Sequence, residues 1–506
     1  MKIKIMDTTL RDGEQTSGVS FSESEKLTLA RLLLEDLCVD RIEIASARVS
    51  KGEFFGSQKI IDWASANGYL DRIEILGFVD GTKSLDWIKE SGGKVINLLC
   101  KGSLRHCQLQ LKKTPEEHLA DISEVIDQAQ KMGIIVNIYL EDWSSGMRNS
   151  PEYVYQMVKN LQMLPVNRIM LPDTLGILNH EESFDFCSQM TSSFPDVRFD
   201  FHAHNDYDLA TANVFSALKA GIDTFHTTLN GLGERAGNVP LSSVIGVVRD
   251  HFNYDMSIDE SRLYPVSKMV ESFSGIRIPQ NKPLIGEFVF TQTSGIHADG
   301  DNKDNLYHNN LKPERFGRKR LYALGKMSGK ANIKKNLDEL GIDLDAESLK
   351  KVTERIIELG DKKETVTRED LPYIIADVLK SDKIESKIIV KNYALSVAKG
   401  LNSVASLSVE IDGKSHEHTA TGDGQYDAFM NALWAIYKKL DKKYPRLTDY
   451  SVQIPPGGKT DALVQTTITW DFGYQFKTTG LDSDQTIAAI KATVKMLNII
   501  ENRQTV

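Results

Sequence analysis

The sequence predicts an α/β protein whose first half is a (β/α)8 TIM barrel. Two observations carry this. Up to about residue 280, short β-branched apolar stretches alternate with longer amphipathic ones, which is the pattern of strands joined by crossover helices. The strand-like stretches number eight, the count that closes a parallel barrel of roughly 250 residues. A third observation bounds the barrel: beyond about Pro283 the alternation gives way to loops and helices, and it returns as a separate C-terminal module.

Taken in order, Lys2 to Met6 (KIKIM) alternates polar and apolar side chains and gives the first strand. Ser24 to Leu37 follows as a helix, with Leu27, Ala30, Leu33, Leu34 and Leu37 at helical spacing. Further strands are expected at Arg41–Ala45, Arg72–Gly77, Val95–Leu99, Ile134–Leu140, Arg168–Leu171, Arg198–His202 and Thr224–Thr227. Phe290 to Tyr307 is rich in Gly, Asp and Asn and reads as a linker subdomain, followed by helices at Ser348–Leu359 and Leu371–Leu379. Strand-like Ala405–Ile411 and Leu463–Trp470, with helix-like Tyr426–Leu440 and Thr486–Ile500, predict two similar β-plus-α halves. Each half would carry a Gly-rich turn, Gly422 to Gly424 and Gly457 to Gly458. The expected domains are a barrel over 1–280, a helical linker region over 281–383 and an α+β domain over 384–506.

Composition excludes several classes. A chain of 506 residues exceeds one ordinary core. Hydrophobic content of 41% with 26% charged residues is that of a globular protein, and no stretch approaches the roughly 18 apolar residues of a membrane span. A net charge of -9 argues against a nucleic-acid surface, although Arg315 to Arg320 (RFGRKR) forms a local basic run, read as a solvated face with phosphate binding as the alternative. Four cysteines (Cys38, Cys100, Cys107, Cys187) without Cys-x-x-Cys spacing, and a start without an apolar signal region, favour a cytoplasmic protein with reduced thiols.

Active sites on such barrels lie at the carboxyl ends of the strands, and that rule sorts the polar residues. Arg11 and Asp12 follow the first strand within "DTTLRDGEQTSG", Glu43 lies in the second, Tyr139 and Glu141 end the fifth, and Asp173 and Thr174 follow the sixth. His202 and His204 in "FHAHNDYD" stand at i and i+2 on the seventh, so both imidazoles reach one face. With Asp12 they make a two-His, one-carboxylate set for a divalent metal that leaves positions open for a substrate with two oxygens. Zinc, manganese, magnesium and iron all suit such ligands. "NGLGERAGN", Asn230 to Asn238, offers glycines for close backbone approach and the Asn238 side-chain oxygen beside the metal.

"DTTLRDGEQTSGVSF", "HAHND" and "NGLGERAGN", in this order, together with "SGIHADG" in the linker region, resemble the acyl-CoA-dependent Claisen condensing enzymes, the family of isopropylmalate, citramalate and homocitrate synthases. The resemblance covers nearly the whole chain. It implies a metal-dependent acyltransferase in which zinc, manganese or magnesium on Asp12, His202 and His204, with Asn238 nearby, binds a 2-oxo acid, and acetyl-CoA is the co-substrate. It implies further that Arg11 stabilises developing oxyanion charge, that Glu141 or His297 moves the methyl proton, and that Gln15 helps shape the loop around the substrate. His297, with Asp299, Asn305 and Tyr307, would form a lid over the barrel of a partner subunit in a homodimer. "GDGQYDA" (Gly422 to Ala428) and "PPGGKTDALVQ" (Pro455 to Gln465) resemble the family's domain for isoleucine or leucine as feedback effector.

By the same resemblance Leu76, Leu99 and Tyr139 shape the pocket for the 2-oxo acid side chain, and Thr174 binds its carboxylate. Tyr139 fills space that an isopropyl group needs, so pyruvate is expected and (R)-citramalate is the product. Arg41 to Glu53 also resembles the citramalate synthase branch. The alternative is 2-oxoisovalerate and 2-isopropylmalate synthesis. A metal-dependent 2-oxo acid aldolase or lyase, or a non-catalytic amino-acid sensor, would belong to other classes, which the joint presence of Arg11, Asp12, Glu141, His202, His204 and His297 with the C-terminal module disfavours.

Overall fold

The computed structural model describes residues 2–252, 254–361, 366–379, 387–454 and 464–503. They fall into two compact units, one of residues 1–290 with 309–319 and the other of 291–308 with 320–506.

The first unit is a closed barrel of eight parallel strands. They are β1 (Lys4–Asp7), β2 (Arg41–Ser46), β3 (Ile73–Phe78), β4 (Val95–Lys101), β5 (Ile135–Glu141), β6 (Val166–Asp173), β7 (Phe199–Ala203) and β8 (Thr224–Thr227). Pairing of β1 with β8, Met6 opposite His226, closes the ring. Alternation along the strands decides what faces the interior. On β2, Ile42 and Ile44 join the large apolar cluster beneath the helices, whereas Arg41 and Glu43 are buried among the strands' polar side chains. Buried charge on this scale is tolerable only when paired. Arg41 pairs with Glu74 and Asp200, Arg168 with Asp200, and Glu43 with Arg11. A ladder of amides extends the network: Asn97 donates to Glu43, Asn137 to Asn97 and Asn167 to Asn137, at 2.7 to 2.9 Å.

The expected helix 24–37 is an α-helix over Glu23–Arg31, capped by a reciprocal Ser22–Glu25 box, continued by a π-turn over Leu32–Asp36. The wider turn keeps Leu33, Leu34 and Leu37 fully or nearly buried. The basic run is not a free surface. Arg315 pairs with Glu260 and Asp250, and Arg318 donates to the carbonyls of Leu284, Gly286 and Glu287. These side chains tie the chain after the barrel back onto it, so the expected solvated face is replaced by internal bonds.

Asp7 closes β1 in full burial. Its Oδ1 accepts the Thr9 amide at 2.9 Å, and burial pushes its carboxyl up to about 7. The folded chain therefore holds a proton that the unfolded chain loses near pH 4, and stability falls as pH rises from about 4 to 7, by about 1.4 kcal/mol per pH unit from this group alone. Asp7→Asn imitates the protonated acid. Its Tm relative to wild type is expected to rise between pH 5 and pH 8, and an equal difference at both pH values would refute the assignment.

In the second unit, helices Lys330–Leu340, Ala346–Asp361 and Leu371–Leu379 share a small core of Ile333, Leu337, Val352, Ile356, Leu371 and Ile375. C-terminal to them stand two three-stranded antiparallel sheets, Ile388–Ser396, Ser403–Ile411 and Lys414–Gly422, then Arg446–Gln453, Val464–Asp471 and Gln475–Asp482. Each sheet is followed by a helix, Gln425–Lys439 and Gln485–Arg503. "GDGQYDA" joins strand to helix, with the Asp423 amide donating to Asp427. Gly457 and Gly458 and most of "PPGGKTDALVQ", residues 455–463, lie outside the described residues. Among the described residues no helix is long and apolar enough to cross a membrane.

Candidate metal and active site

The strand ends gather most of the residues singled out above. After β1 the chain turns sharply, the amides of Arg11, Asp12 and Gly13 all donating to the Thr8 carbonyl. Thr9 Oγ1 accepts the Leu229 amide at 2.8 Å, and Thr16 Oγ1 accepts the Gly233 amide at 2.7 Å and donates to its carbonyl. The loop after β1 is thus stitched to the loop after β8, which carries Asn238. The chain there runs alongside the end of β7: Val239 donates to Ala203, Asn205 donates to Gly237, and His204 bridges Asn238. Two glycines permit this. Gly237 has φ +80°, and a Cβ on it would lie 1.9 Å from the Gly231 carbonyl oxygen; Gly233 has φ +150°, and its Cβ would lie 2.4 Å from Asn238 Oδ1.

Asp12, His202 and His204 converge and are all buried. Asp12 Oδ2 lies 3.1 Å from His202 Nε2 and 3.9 Å from His204 Nε2, and the two imidazole nitrogens are 3.4 Å apart. Asn238 Nδ2 donates to Asp12 Oδ2 at 2.6 Å. Burial, only partly opposed by Asp12, lowers both imidazoles to about 4. Burial alone would raise the Asp12 carboxyl, yet Arg11 and His202 hold it well below the usual carboxylate range. The cluster is therefore two neutral imidazoles and a carboxylate at neutral pH, the protonation state that ligates divalent cations. Asp12 Oδ1 and Asn238 Oδ1 are also buried without a hydrogen-bond partner. Orphaned acceptors in so small a volume suit a cation between them, and the donor set fits a two-His, one-carboxylate site.

Arg11 is held against this cluster. Its Nε donates to Glu43 Oε2 at 2.5 Å, one amino group lies 3.4 Å from Asp12 Oδ1, and the guanidinium stands 5.8 Å from the centre of the Tyr139 ring. Leu76, Leu99 and Tyr139 come together with Met6 and Met170 in one apolar cluster, separate from the helix-facing core. The Tyr139 ring packs edge-on against His202 at 5.8 Å. Thr174 Oγ1 accepts the Asp142 amide at 2.9 Å, leaving its own hydroxyl hydrogen to donate. Glu141 ends β5 paired with Lys101, the register partner that ends β4. Gln15 is exposed on the turn after β1.

His297, Asp299, Asn305 and Tyr307 belong to the second unit. His297 lies on helix Gly295–Asn302, its Nδ1 3.2 Å from Gln292 Oε1 and its ring 4.2 Å from that of Tyr307. Asp299 pairs with Lys303, and Asn305 is exposed with φ +56°.

Sequence reasoning gave no role to Lys101, Asp200 or His226, and placed Glu43 at the mouth without naming its partner. Lys101 had a readable signal, a basic residue ending β4 opposite the acid ending β5. Asp200, His226 and the pairing of Glu43 with Arg11 had none, because a strand sequence does not reveal which inward side chains meet inside a barrel.

Fold and site define an HMGL-like barrel protein, and the model of that family matches residues 2–270. The homocitrate synthase post-HMGL domain matches 284–364, and the LeuA allosteric (dimerisation) domain matches 365–501. The chain is 32% identical over 507 residues to (R)-citramalate synthase of Methanocaldococcus jannaschii, covering 99% of this chain and all of that one. It is also 32% identical over 506 residues to 2-isopropylmalate synthase of the same organism, covering 99% of this chain and 95% of that one. A relative from Archaeoglobus fulgidus, 34% identical over 99% of this chain and all of its own, carries the citramalate synthase name provisionally. The chain belongs to the citramalate synthase and 2-isopropylmalate synthase family.

Proposed function

We propose that the protein is an acyltransferase that condenses acetyl-CoA with a 2-oxo acid, pyruvate by preference, to give (R)-citramalate and CoA. The observation that carries this is the junction of two features: the buried Asp12, His202, His204 cluster and, packed against it, the small apolar cluster of Leu76, Leu99, Tyr139, Met6 and Met170. A divalent metal held by Asp12, His202 and His204, with Asn238 beside them, would polarise the keto group. Arg11, fixed by Glu43, faces the same place and offers N–H donors to an alkoxide forming on the keto oxygen. The Thr174 hydroxyl is free to donate to the substrate carboxylate. Glu141, oriented by Lys101, or His297 removes a proton from the acetyl methyl group; the carbanion adds to the keto carbon, the alkoxide so formed takes up a proton to become the hydroxyl, and water then hydrolyses the thioester, releasing the thiol.

Glu141→Gln is expected to lower kcat by about a hundredfold with little change in the KM for the 2-oxo acid, since it removes a proton acceptor and no substrate contact. An unchanged kcat would pass that task to His297. The low imidazole values carry a pH dependence of their own. Protons compete for His202 and His204 only near pH 4, so metal affinity of the stripped chain is expected to stay level from pH 7 to about 5, where ordinary histidines would already lose it below pH 6.5. Calorimetric titration at several pH values measures this.

The LeuA domain match supports a homodimer whose C-terminal domain binds a branched-chain amino acid, isoleucine if pyruvate is the substrate. In that dimer His297, Asp299, Asn305 and Tyr307 would serve as a lid on the partner's barrel. The four unpaired cysteines support a cytoplasmic setting. Equal identity to an isopropylmalate synthase favours a second reading, 2-isopropylmalate from 2-oxoisovalerate. The test is free-thiol release from acetyl-CoA by the metal-loaded protein: release that requires both a 2-oxo acid and metal supports condensation, and none with any 2-oxo acid removes it.

A further inference from the structure

Deep in the barrel lies an imidazole to which the reaction above gives no task. His226, on β8, is 1% exposed. Its Nε2 is 3.2 Å from Asp200 Oδ2, and its Nδ1 is 3.0 Å from the Tyr139 hydroxyl and 3.2 Å from His202 Nδ1. Asp200 cannot move to suit it: Arg168 donates to Oδ1 at 2.8 Å and Arg41 donates to Oδ2 at 2.5 Å.

We propose that His226 is a positioning residue that joins the metal-facing His202 and the pocket-closing Tyr139 to one immobile anchor, Asp200, so that metal affinity and 2-oxo acid selectivity are set through a single side chain. The hydrogen-bond logic runs from the anchor outward. A carboxylate only accepts, so the His226 nitrogen beside Asp200 carries the hydrogen. Nδ1 is then a bare lone pair, an acceptor. The Tyr139 hydroxyl donates to it. His202 turns Nε2 toward Asp12 and His204, and an imidazole that ligates a cation through Nε2 carries its hydrogen on Nδ1. That hydrogen also points at His226 Nδ1. Two donors, one from the cation side and one from the substrate side, converge on one lone pair. Metal-binding histidines have their second nitrogen fixed by such a partner, whose loss typically costs tenfold to a hundredfold in affinity. Here the partner also fixes the phenol that limits the pocket, so loosening one loosens the other. A residue that merely fills space would couple neither.

The selectivity half rests on the proposed function; the metal and hydrogen-bond halves do not. Full-length His226→Leu removes both nitrogens, whereas His226→Asn returns an acceptor near the position of Nδ1. Zinc binding to the stripped protein is measured by calorimetry, and kcat/KM is measured for pyruvate and 2-oxobutanoate. For His226→Leu, zinc affinity is expected to fall by about tenfold to a hundredfold and the pyruvate to 2-oxobutanoate ratio by at least about threefold, with His226→Asn recovering most of the zinc affinity. Wild-type zinc affinity and an unchanged ratio in a folded His226→Leu protein would overturn the proposal. Should that variant fail to fold, 15N spectra of histidine-labelled wild type decide: a hydrogen on His226 Nε2 supports the anchor, and one on Nδ1 overturns it. If wild type releases no thiol with any 2-oxo acid, the condensation reading falls, while zinc affinity and the 15N spectra still judge the role of His226.

Discussion

Asp12→Asn is expected to lower acetyl-CoA turnover by about a thousandfold and to weaken zinc binding by a similar factor while leaving the fold intact. A thousandfold corresponds to about 4 kcal/mol, the size of effect a metal exerts on developing oxygen charge. The substitution keeps the shape of the side chain and removes the only carboxylate of the cluster. Arg11 does not become a stranded charge, because Glu43 still accepts from it at 2.5 Å. The Asn238 amide, which donates to Asp12 Oδ2, would meet an amide that can still present an oxygen. Turnover within tenfold of wild type, with zinc affinity retained, would show that Asp12 is not a ligand. Thermal denaturation of the stripped variant separates loss of metal from loss of fold.

Tyr139→Val is expected to move substrate preference from pyruvate toward 2-oxoisovalerate, changing the ratio of kcat/KM values by about a hundredfold. The ring is buried, and it packs in one apolar cluster with Leu76, Leu99, Met6 and Met170, the residues proposed to meet the 2-oxo acid side chain. An isopropyl group exceeds a methyl group by two carbons, and each carbon in an apolar pocket is worth about 1 to 3 kcal/mol of discrimination. Part of the change comes as lost pyruvate activity, because a methyl group leaves the enlarged pocket unfilled and because the hydroxyl bond to His226 is gone. An unchanged ratio would mean that Tyr139 only packs the barrel interior.

Much of this architecture is legible in the sequence, for a physical reason. The barrel strands are apolar, β-branched and separated by helix-length stretches, so their order and the residues at their carboxyl ends follow from pattern alone, and structure and sequence agree on all eight within a few residues. His202 and His204 are readable because i and i+2 on a strand share a face. What the pattern hides is which side chains meet inside the barrel. Glu43 beside Arg11, and Asp200 beside His226, come from neighbouring strands, yet their meeting depends on register and on which way each side chain points. The basic run Arg315 to Arg320 shows the opposite limit: composition marks it as surface, while tertiary contacts draw Arg315 and Arg318 into internal bonds. The π-turn after Arg31 is likewise invisible in a leucine spacing that fits an unbroken helix equally well.

The two Methanocaldococcus jannaschii relatives, one of each name, are equally similar, so the proposed substrate choice rests on the residues around Tyr139. The most direct measurement is competition: equal concentrations of pyruvate, 2-oxobutanoate and 2-oxoisovalerate are offered to the metal-loaded protein with acetyl-CoA, and the products are identified by mass and by chirality. A pocket closed by Tyr139 over a metal held by Asp12, His202 and His204 predicts (R)-citramalate as the main product, with a minor share from 2-oxobutanoate and free CoA equal to the sum. Predominant 2-isopropylmalate, or consumption of 2-oxo acid without release of CoA, would contradict it.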